Sequence, residues 1–196
     1  MESRLIAALA GPGWGVVPEA VPTGWCRELA ARARELDRCG EFRPGAIGVG
    51  RARAVHSEVR GDRICWLHVP VTGVEIELLA MFENLRIALN RELQLGVQEL
   101  ECHYAIYPVG AGYQRHCDRS PRGAERVVTV VLYLNEGWEA DDGGQLRLYA
   151  AAGPAEIAPR AGALVAFLSE RFEHEVRPTR RERVSLSGWF RRRAAP

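Results

Sequence analysis

The stretch His103-Tyr-Ala-Ile-Tyr107-Pro-Val-Gly-Ala-Gly-Tyr113-Gln-Arg-His116-Cys-Asp118 decides how the rest of the chain is read. The run from Cys102 to Tyr107 has the look of a strand, broken at Pro108 and Gly110. A second short strand follows and ends in His116-Cys117-Asp118. Strand side chains point alternately to opposite faces, so His116 and Asp118 share one face and Cys117 takes the other. An imidazole and a carboxylate side by side on a rigid strand supply two arms of a metal clamp.

Downstream residues complete that clamp. His174, in Phe172-Glu-His174-Glu-Val176, begins a strand after a sheet-sized span. Two His and one carboxylate on one face of a ferrous ion leave positions open for a co-substrate, as in non-haem Fe(II) oxygenases. On the last long strand, Arg183-Val-Ser185 offers a fixed bidentate clamp for a dicarboxylate, with a hydroxyl on the same face.

The surroundings read as two parts. Residues 2–10 suit a short helix stopped by Gly11-Pro12-Gly13, and Trp14–Val17 a strand. Pro22-Thr23 opens a helix with Trp25, Leu29, Ala33 and Leu36 at helical spacing, ended by Cys39-Gly40. From Phe42 to Arg60 the pattern fails, and glycines alternate with Arg51, Arg53, His56 and Arg60, which predicts a basic loop or loose hairpin. Asp62–Leu67 reads as a strand with Ile64 and Trp66 on one face. Gly73–Leu95 reads as the longest helix, with Ile76, Leu79, Phe82, Leu85 and Leu89 as its core stripe. Beyond Gln98 the period becomes two: 99–107, 127–134, 145–149, 163–168, 174–176 and 184–190 are strand-like. The expected class is α+β, mainly β: an antiparallel sandwich or barrel with N-terminal packing helices. One structural domain is expected, with 1–98 carrying helices and supporting strands, 99–191 the catalytic β core, and 192–196 a tail. The whole run Arg191–Pro196 reads as disordered.

Composition narrows the function. The chain has 196 residues, 47% of them hydrophobic, enough to bury a core without staples. A formal net charge of +1 argues against a dedicated nucleic-acid binder. Cys26, Cys39, Cys65, Cys102 and Cys117 lack zinc-type spacing and read as reduced thiols, pointing to a cytoplasmic protein. No signal peptide and no apolar run of membrane-spanning length is visible.

The chain resembles the Fe(II)- and 2-oxoglutarate-dependent dioxygenases, and within them the prolyl hydroxylases of the hypoxia-sensing type and their bacterial relatives. Arg60-Gly61-Asp62-Arg63-Ile64-Cys65-Trp66 is similar to that group's Arg-Gly-Asp-Lys-Ile-x-Trp strand. Tyr107-Pro108 through Gly112-Tyr113-x-Arg115-His116-x-Asp118 resembles its metal strand, one residue shorter in the glycine turn. Val131-Leu-Tyr133-Leu134-Asn135 with Trp138, Gly143-Gly144-x-Leu146-Arg147, His174-Glu-Val, Arg183 and Trp189-Phe190 complete the likeness over residues 60–190.

The resemblance implies a double-stranded β-helix, or jelly roll, with iron at its mouth. His116, Asp118 and His174 would bind Fe(II), and Arg183 and Tyr133 the distal carboxylate of 2-oxoglutarate. Tyr107 and Leu146 would line that pocket, with Ser187 where animal enzymes carry a threonine. Trp189 would pack against the target prolyl ring, and Arg60, Asp62 and Arg126 would contact the substrate chain. The Ile47–Arg60 loop would clasp it. The implied reaction consumes O2, splits 2-oxoglutarate into succinate and CO2, and hydroxylates a proline in a protein, with ascorbate as reductant. The target would be a translation factor such as elongation factor Tu, met by a monomer without membrane or nucleic acid. Two alternatives stay open: a free amino acid or small metabolite as substrate, and a partner-binding sensor without turnover. Read alone, Tyr107, Tyr133 and Trp189 also suit core packing. Trp14, Trp25, Trp66 and Trp138 are read as packing, His56, His68 and His103 as structural or surface residues, and Cys117 as core.

Overall fold

The computed structural model describes residues 1–48, 54–67, 73–118 and 125–193. The N-terminal part holds helices α1 (Glu2–Ala10), α2 (Thr23–Arg38) and α3 (Val74–Leu93), with strands β1 (Trp14–Val17), β2 (Arg43–Pro44) and β3 (Arg63–Trp66). Eight strands follow: β4 (Glu99–Tyr107), β5 (Tyr113–His116), β6 (Glu125–Tyr133), β7 (Leu146–Ala150), β8 (Gly153–Ile157), β9 (Leu164–Leu168), β10 (His174–Val176) and β11 (Arg183–Arg192). They form a seven-stranded sheet, β1-β9-β6-β11-β4-β3-β2, facing a four-stranded sheet, β5-β10-β7-β8. Every ladder pairing is antiparallel. This is the expected mainly-β jelly roll with helices packed outside.

Strand alternation sorts the large sheet into two faces. Tyr104 and Ile106 of β4, Val128, Val130 and Leu132 of β6, and Val184, Leu186 and Phe190 of β11 pack into one core with the three helices. Their neighbours point the other way, toward the small sheet: Val131 and Tyr133 join Leu146, Leu148 and Phe167 in a second core. The residues with chemistry, from His103 and Tyr107 on β4 to Arg183, Ser185, Ser187 and Trp189 on β11, have the parity of that inner face. The helix layer thus holds one face of the sheet rigid while the other carries the site.

Several expectations change. On α3 the core stripe is Val74, Leu78, Phe82, Leu85 and Leu89, while Ile76 is 53% exposed, because helical phase places it beside Gly73 at the outer edge. The same helix buries Glu75, which accepts a hydrogen bond from Tyr104 Oη at 2.9 Å. Strand β8, Gly153–Ile157, escapes the period-two reading because Gly153-Pro154 opens it. Strand β11 continues to Arg192, past the expected end of order at Arg191. Arg191 bridges Glu99 and Glu101, and Arg193 Nε donates to Glu99 at 2.6 Å. Opposite charges across strands hold the end that composition alone made look loose. In the loop after Phe42, Ile47 is bridged antiparallel to Ala54, while 49–53, including Arg51 and Arg53, His68, and 194–196 of the expected tail lie outside the described residues. Gly15 shows how closely α1 docks: a Cβ there would lie 2.4 Å from Ala8 Cβ. Among the described residues no helix is long and apolar enough to cross a membrane.

Candidate iron and 2-oxoglutarate site

Pairing of β5 with β10 places His174 opposite His116, with ring centroids 4.3 Å apart. Asp118 lies two residues beyond the end of β5 rather than on the strand. Its carboxylate still turns to the imidazoles: Oδ1 is 3.7 Å from His116 Nε2, and Oδ2 is 3.6 Å from His174 Nε2. One ligand atom from each residue lies within 4.8 Å of the others, and no other such group occurs among the described residues. Backbone carbonyls set the tautomers. His116 Nδ1 lies 2.7 Å from Gln114 O and His174 Nδ1 3.3 Å from Phe172 O. A carbonyl only accepts, so each Nδ1 carries the proton and each Nε2 lone pair faces the group. Burial, reinforced by His174, pushes the His116 imidazole down to about 4, which keeps it neutral. Burial would raise the Asp118 carboxyl, but His174, His116 and a hydrogen bond from Trp189 hold it below its ordinary value. Two imidazoles and a carboxylate fit a ferrous ion.

A cavity of about 560 Å³ opens from this group into the space between the sheets. Arg183, 2% exposed, reaches into it. Its Nε donates to Gly144 O at 2.9 Å and one Nη to Ser185 Oγ at 3.2 Å. Its guanidinium carbon lies 4.9 Å from the Tyr107 ring centroid and 5.1 Å from that of Tyr133. Among the described residues no carboxylate pairs with it. A buried cation without an anion is costly, so the cavity is built to receive one. The Tyr133 hydroxyl is buried with no hydrogen-bond partner, and burial, opposed by Arg183, moves it up to about 12. A neutral, unpartnered O–H beside an unpaired guanidinium suits one end of a dicarboxylate, as 2-oxoglutarate has.

The other predicted residues converge on the same space. Tyr107, Leu146 and Ser187 line the cavity; Tyr133 is not among its lining residues but stands against Arg183, which is. At the mouth, Arg60 grips Asp62 through Nε–Oδ1 at 2.6 Å and Nη2–Oδ2 at 3.0 Å, and reaches Ala46 O of the loop at 3.3 Å. Arg126 pairs with Glu101 at 2.7 Å and covers the Trp189 ring at 3.7 Å. Trp189 lines the cavity, but its indole Nε1 donates to Asp118 Oδ2 at 2.8 Å, a link the sequence reading did not contain.

Other residues contribute to the site that no local sequence pattern marks. Trp66, read as packing, forms a cavity wall with His103 and Trp189, with centroids 4.9 and 6.2 Å from Trp66. His103, read as structural or surface, is buried in that wall. Thr129 donates to Asp118 Oδ2 at 2.9 Å. A polar residue inside Val127-Val128-Thr129-Val130-Val131, on the same face as Tyr133, was the available signal. Cys117, read as core, is only partly buried and is among the residues lining the cavity, because it lies just past the end of β5; its thiol donates to Ser169 O at 3.3 Å.

Comparison with known proteins agrees with this geometry. The family model described as the 2OG-Fe(II) oxygenase superfamily matches residues 102–191. Egl nine homolog 1 of Homo sapiens is 31% identical over 173 residues, covering 84% of this chain and 40% of that protein. The chain spans about half or less of the length of the Egl nine homolog 1 proteins it matches. A crystal structure of a Pseudomonas putida prolyl-4-hydroxylase superposes with a TM-score of 0.89 at 42% identity, covering 99% of this chain and all of that one. A Trichoplax adhaerens prolyl hydroxylase, solved with a hypoxia inducible factor peptide fragment, gives 0.88 at 28% identity over 96% and 88% of the two chains. With this fold and a likeness that runs along nearly its whole length, the chain belongs to the 2OG-Fe(II) oxygenase superfamily, and the two solved structures named here are of prolyl hydroxylases.

Proposed function

We propose that this protein hydroxylates a prolyl residue within a protein, consuming 2-oxoglutarate and O2 and releasing succinate and CO2. The observation that carries the reading is the full-length likeness to the Pseudomonas putida prolyl-4-hydroxylase. The cavity supports it, because its lining includes the charged residues Arg60, Asp62 and Arg126, held in the pairs Arg60–Asp62 and Arg126–Glu101, which suit a polar main chain.

In this reading His116, Asp118 and His174 hold Fe(II), and the two Nδ1–H···O=C contacts keep the imidazoles aimed. Iron with 2-oxoglutarate and O2 supplies the oxidising power that places one oxygen atom on a C–H bond. The chain's share is binding and orientation. Arg183 and Tyr133 anchor the distal carboxylate, Ser185 and Gly144 fix the guanidinium, and Tyr107 and Leu146 shape the pocket around the carbon chain. Trp66, His103 and Trp189 make a wall that excludes water near the metal, and Trp189 is the surface nearest the target ring. Arg60, Asp62 and Arg126 contact the substrate chain, with the 47–60 loop clasping it. Ascorbate serves as reductant. A cytoplasmic setting suits five cysteines that are all free thiols. A translation factor such as elongation factor Tu is the target to try first, on family resemblance.

The test is incubation of the protein with Fe(II), 2-oxoglutarate, ascorbate and candidate proteins, followed by peptide mass spectrometry. Expected is one added oxygen atom on a specific proline, in step with succinate. Succinate with a hydroxylated free amino acid and no modified protein would move the substrate to a small molecule.

A further inference from the structure

Asp118 has two carboxylate oxygens, and the fold treats them differently. Trp189 Nε1 donates to Oδ2 at 2.8 Å, and Thr129 Oγ1 approaches the same oxygen at 2.9 Å. Among the described residues no hydrogen-bond donor is directed at Oδ1. An ionised carboxylate only accepts, so Thr129 must spend its single proton on Oδ2. The Ser169 hydroxyl, 2.9 Å from Thr129 Oγ1 and fully buried, then donates to Thr129 in turn. The relay runs Ser169 to Thr129 to Asp118 with every proton assigned. Both lone pairs of Oδ2 are occupied, and those of Oδ1 are left over.

We propose that Trp189 and Thr129 are positioning residues that fix Asp118 as a one-oxygen ligand, holding Oδ2 and presenting Oδ1 to the metal. The inference rests on the reading of His116, Asp118 and His174 as the iron site. Its consequence is a coordination count. A carboxylate binding through both oxygens would occupy a position needed by 2-oxoglutarate or O2, and two charge-assisted hydrogen bonds on Oδ2 oppose that mode. The arrangement is rigid. Asp118, Thr129 and Ser169 are all buried, β6 and β11 fix Thr129 directly opposite Trp189, and Arg126 lies over the Trp189 ring at 3.7 Å. Trp189 therefore links the mouth to the metal carboxylate, whatever it also contacts in the substrate.

Two measurements on the full chain without substrate test this. In a crystal structure of the Mn(II)-loaded wild type, Oδ1 is expected to bind the metal with Oδ2 still on Trp189 and Thr129. Mn(II) held through both oxygens, or through Oδ2, overturns the proposal while leaving the metal site standing. Failure of the wild type to take up Mn(II) overturns the site itself. In Mn(II) titrations followed by electron paramagnetic resonance, Trp189→Phe and Thr129→Val are expected to lose about 10- to 100-fold in affinity. Thr129→Ser, which restores the donor, is expected to stay near wild type. Equal affinity in Trp189→Phe and wild type, or a Thr129→Ser loss as large as that of Thr129→Val, contradicts the donor role.

Discussion

The Tyr113 ring lies flat on the His116 imidazole, with centroids 3.6 Å apart and planes 17° from parallel, and Arg60 sits over the same tyrosine at 4.9 Å. The metal histidine is therefore braced through an aromatic plate by a residue whose other contacts belong to the mouth loop and Asp62.

This brace predicts a graded effect. Tyr113→Phe keeps the plate and should bind Fe(II) as the wild type does. Tyr113→Leu frees the imidazole and should weaken Fe(II) binding roughly tenfold, the scale of support lost around a ligand. Anaerobic Fe(II) titration of the three proteins decides it; equal affinities would show that Gln114 O alone holds His116.

Arg183 predicts a divergence between stability and binding. Buried without a carboxylate, it is a cation the ligand-free fold carries at a cost. Arg183→Met should melt no lower than wild type without ligand, yet lose the rise in melting temperature that 2-oxoglutarate gives the wild type. Thermal scans with and without 2-oxoglutarate measure both. A variant that melts much lower without ligand would make Arg183 a structural residue.

Gly144 O accepts the hydrogen bond from Arg183 Nε, and Gly144 has a φ of +65°, which residues with side chains rarely adopt. A Cβ there would stand 3.1 Å from both Arg183 Cδ and Thr179 Oγ1, and 3.2 Å from Trp138 Cζ2. Gly144→Ala should cost about 1–2 kcal/mol of stability and raise the KM for 2-oxoglutarate more than it lowers kcat. Denaturant unfolding and succinate kinetics check the two parts.

The cavity histidines set a pH dependence. Burial, helped by Arg60, pushes His103 down to about 4, and His116 is likewise down to about 4. Between 6.5 and 4 the unfolded chain takes up protons that the folded metal-free protein refuses. Stability should therefore fall as pH drops from 6.5 toward 4, by on the order of 3 kcal/mol for each histidine as an upper bound, and level off below. His103→Gln should remove roughly half of that slope. Chemical denaturation across this window tests it, and a flat profile would contradict it.

Much of this arrangement was legible in the chain. Period-two patterning found six strands of the sandwich, and the motif around His116 with His174 and Arg183 marked the residues that share the cavity. Those are short-range signals. Asp118 looked like a strand residue because alternation carries no sign of where pairing stops, and β5 ends at His116. Trp66 and His103 looked structural because their role comes from β3 lying beside β4 in register, Trp66 opposite His103, a fact of sheet order. Thr129 and Ser169 escaped for the same reason: the relay to Asp118 joins the strand β6 to the loop after β9, and no local pattern marks it.

The central claim is that His116, Asp118, His174 and Arg183 assemble one site for Fe(II) and 2-oxoglutarate. Anaerobic mixing of the protein with both, followed by visible absorption, tests it most directly. A weak metal-to-ligand charge-transfer band should appear in the wild type and vanish in His174→Ala. A folded wild type that shows no band would contradict the account.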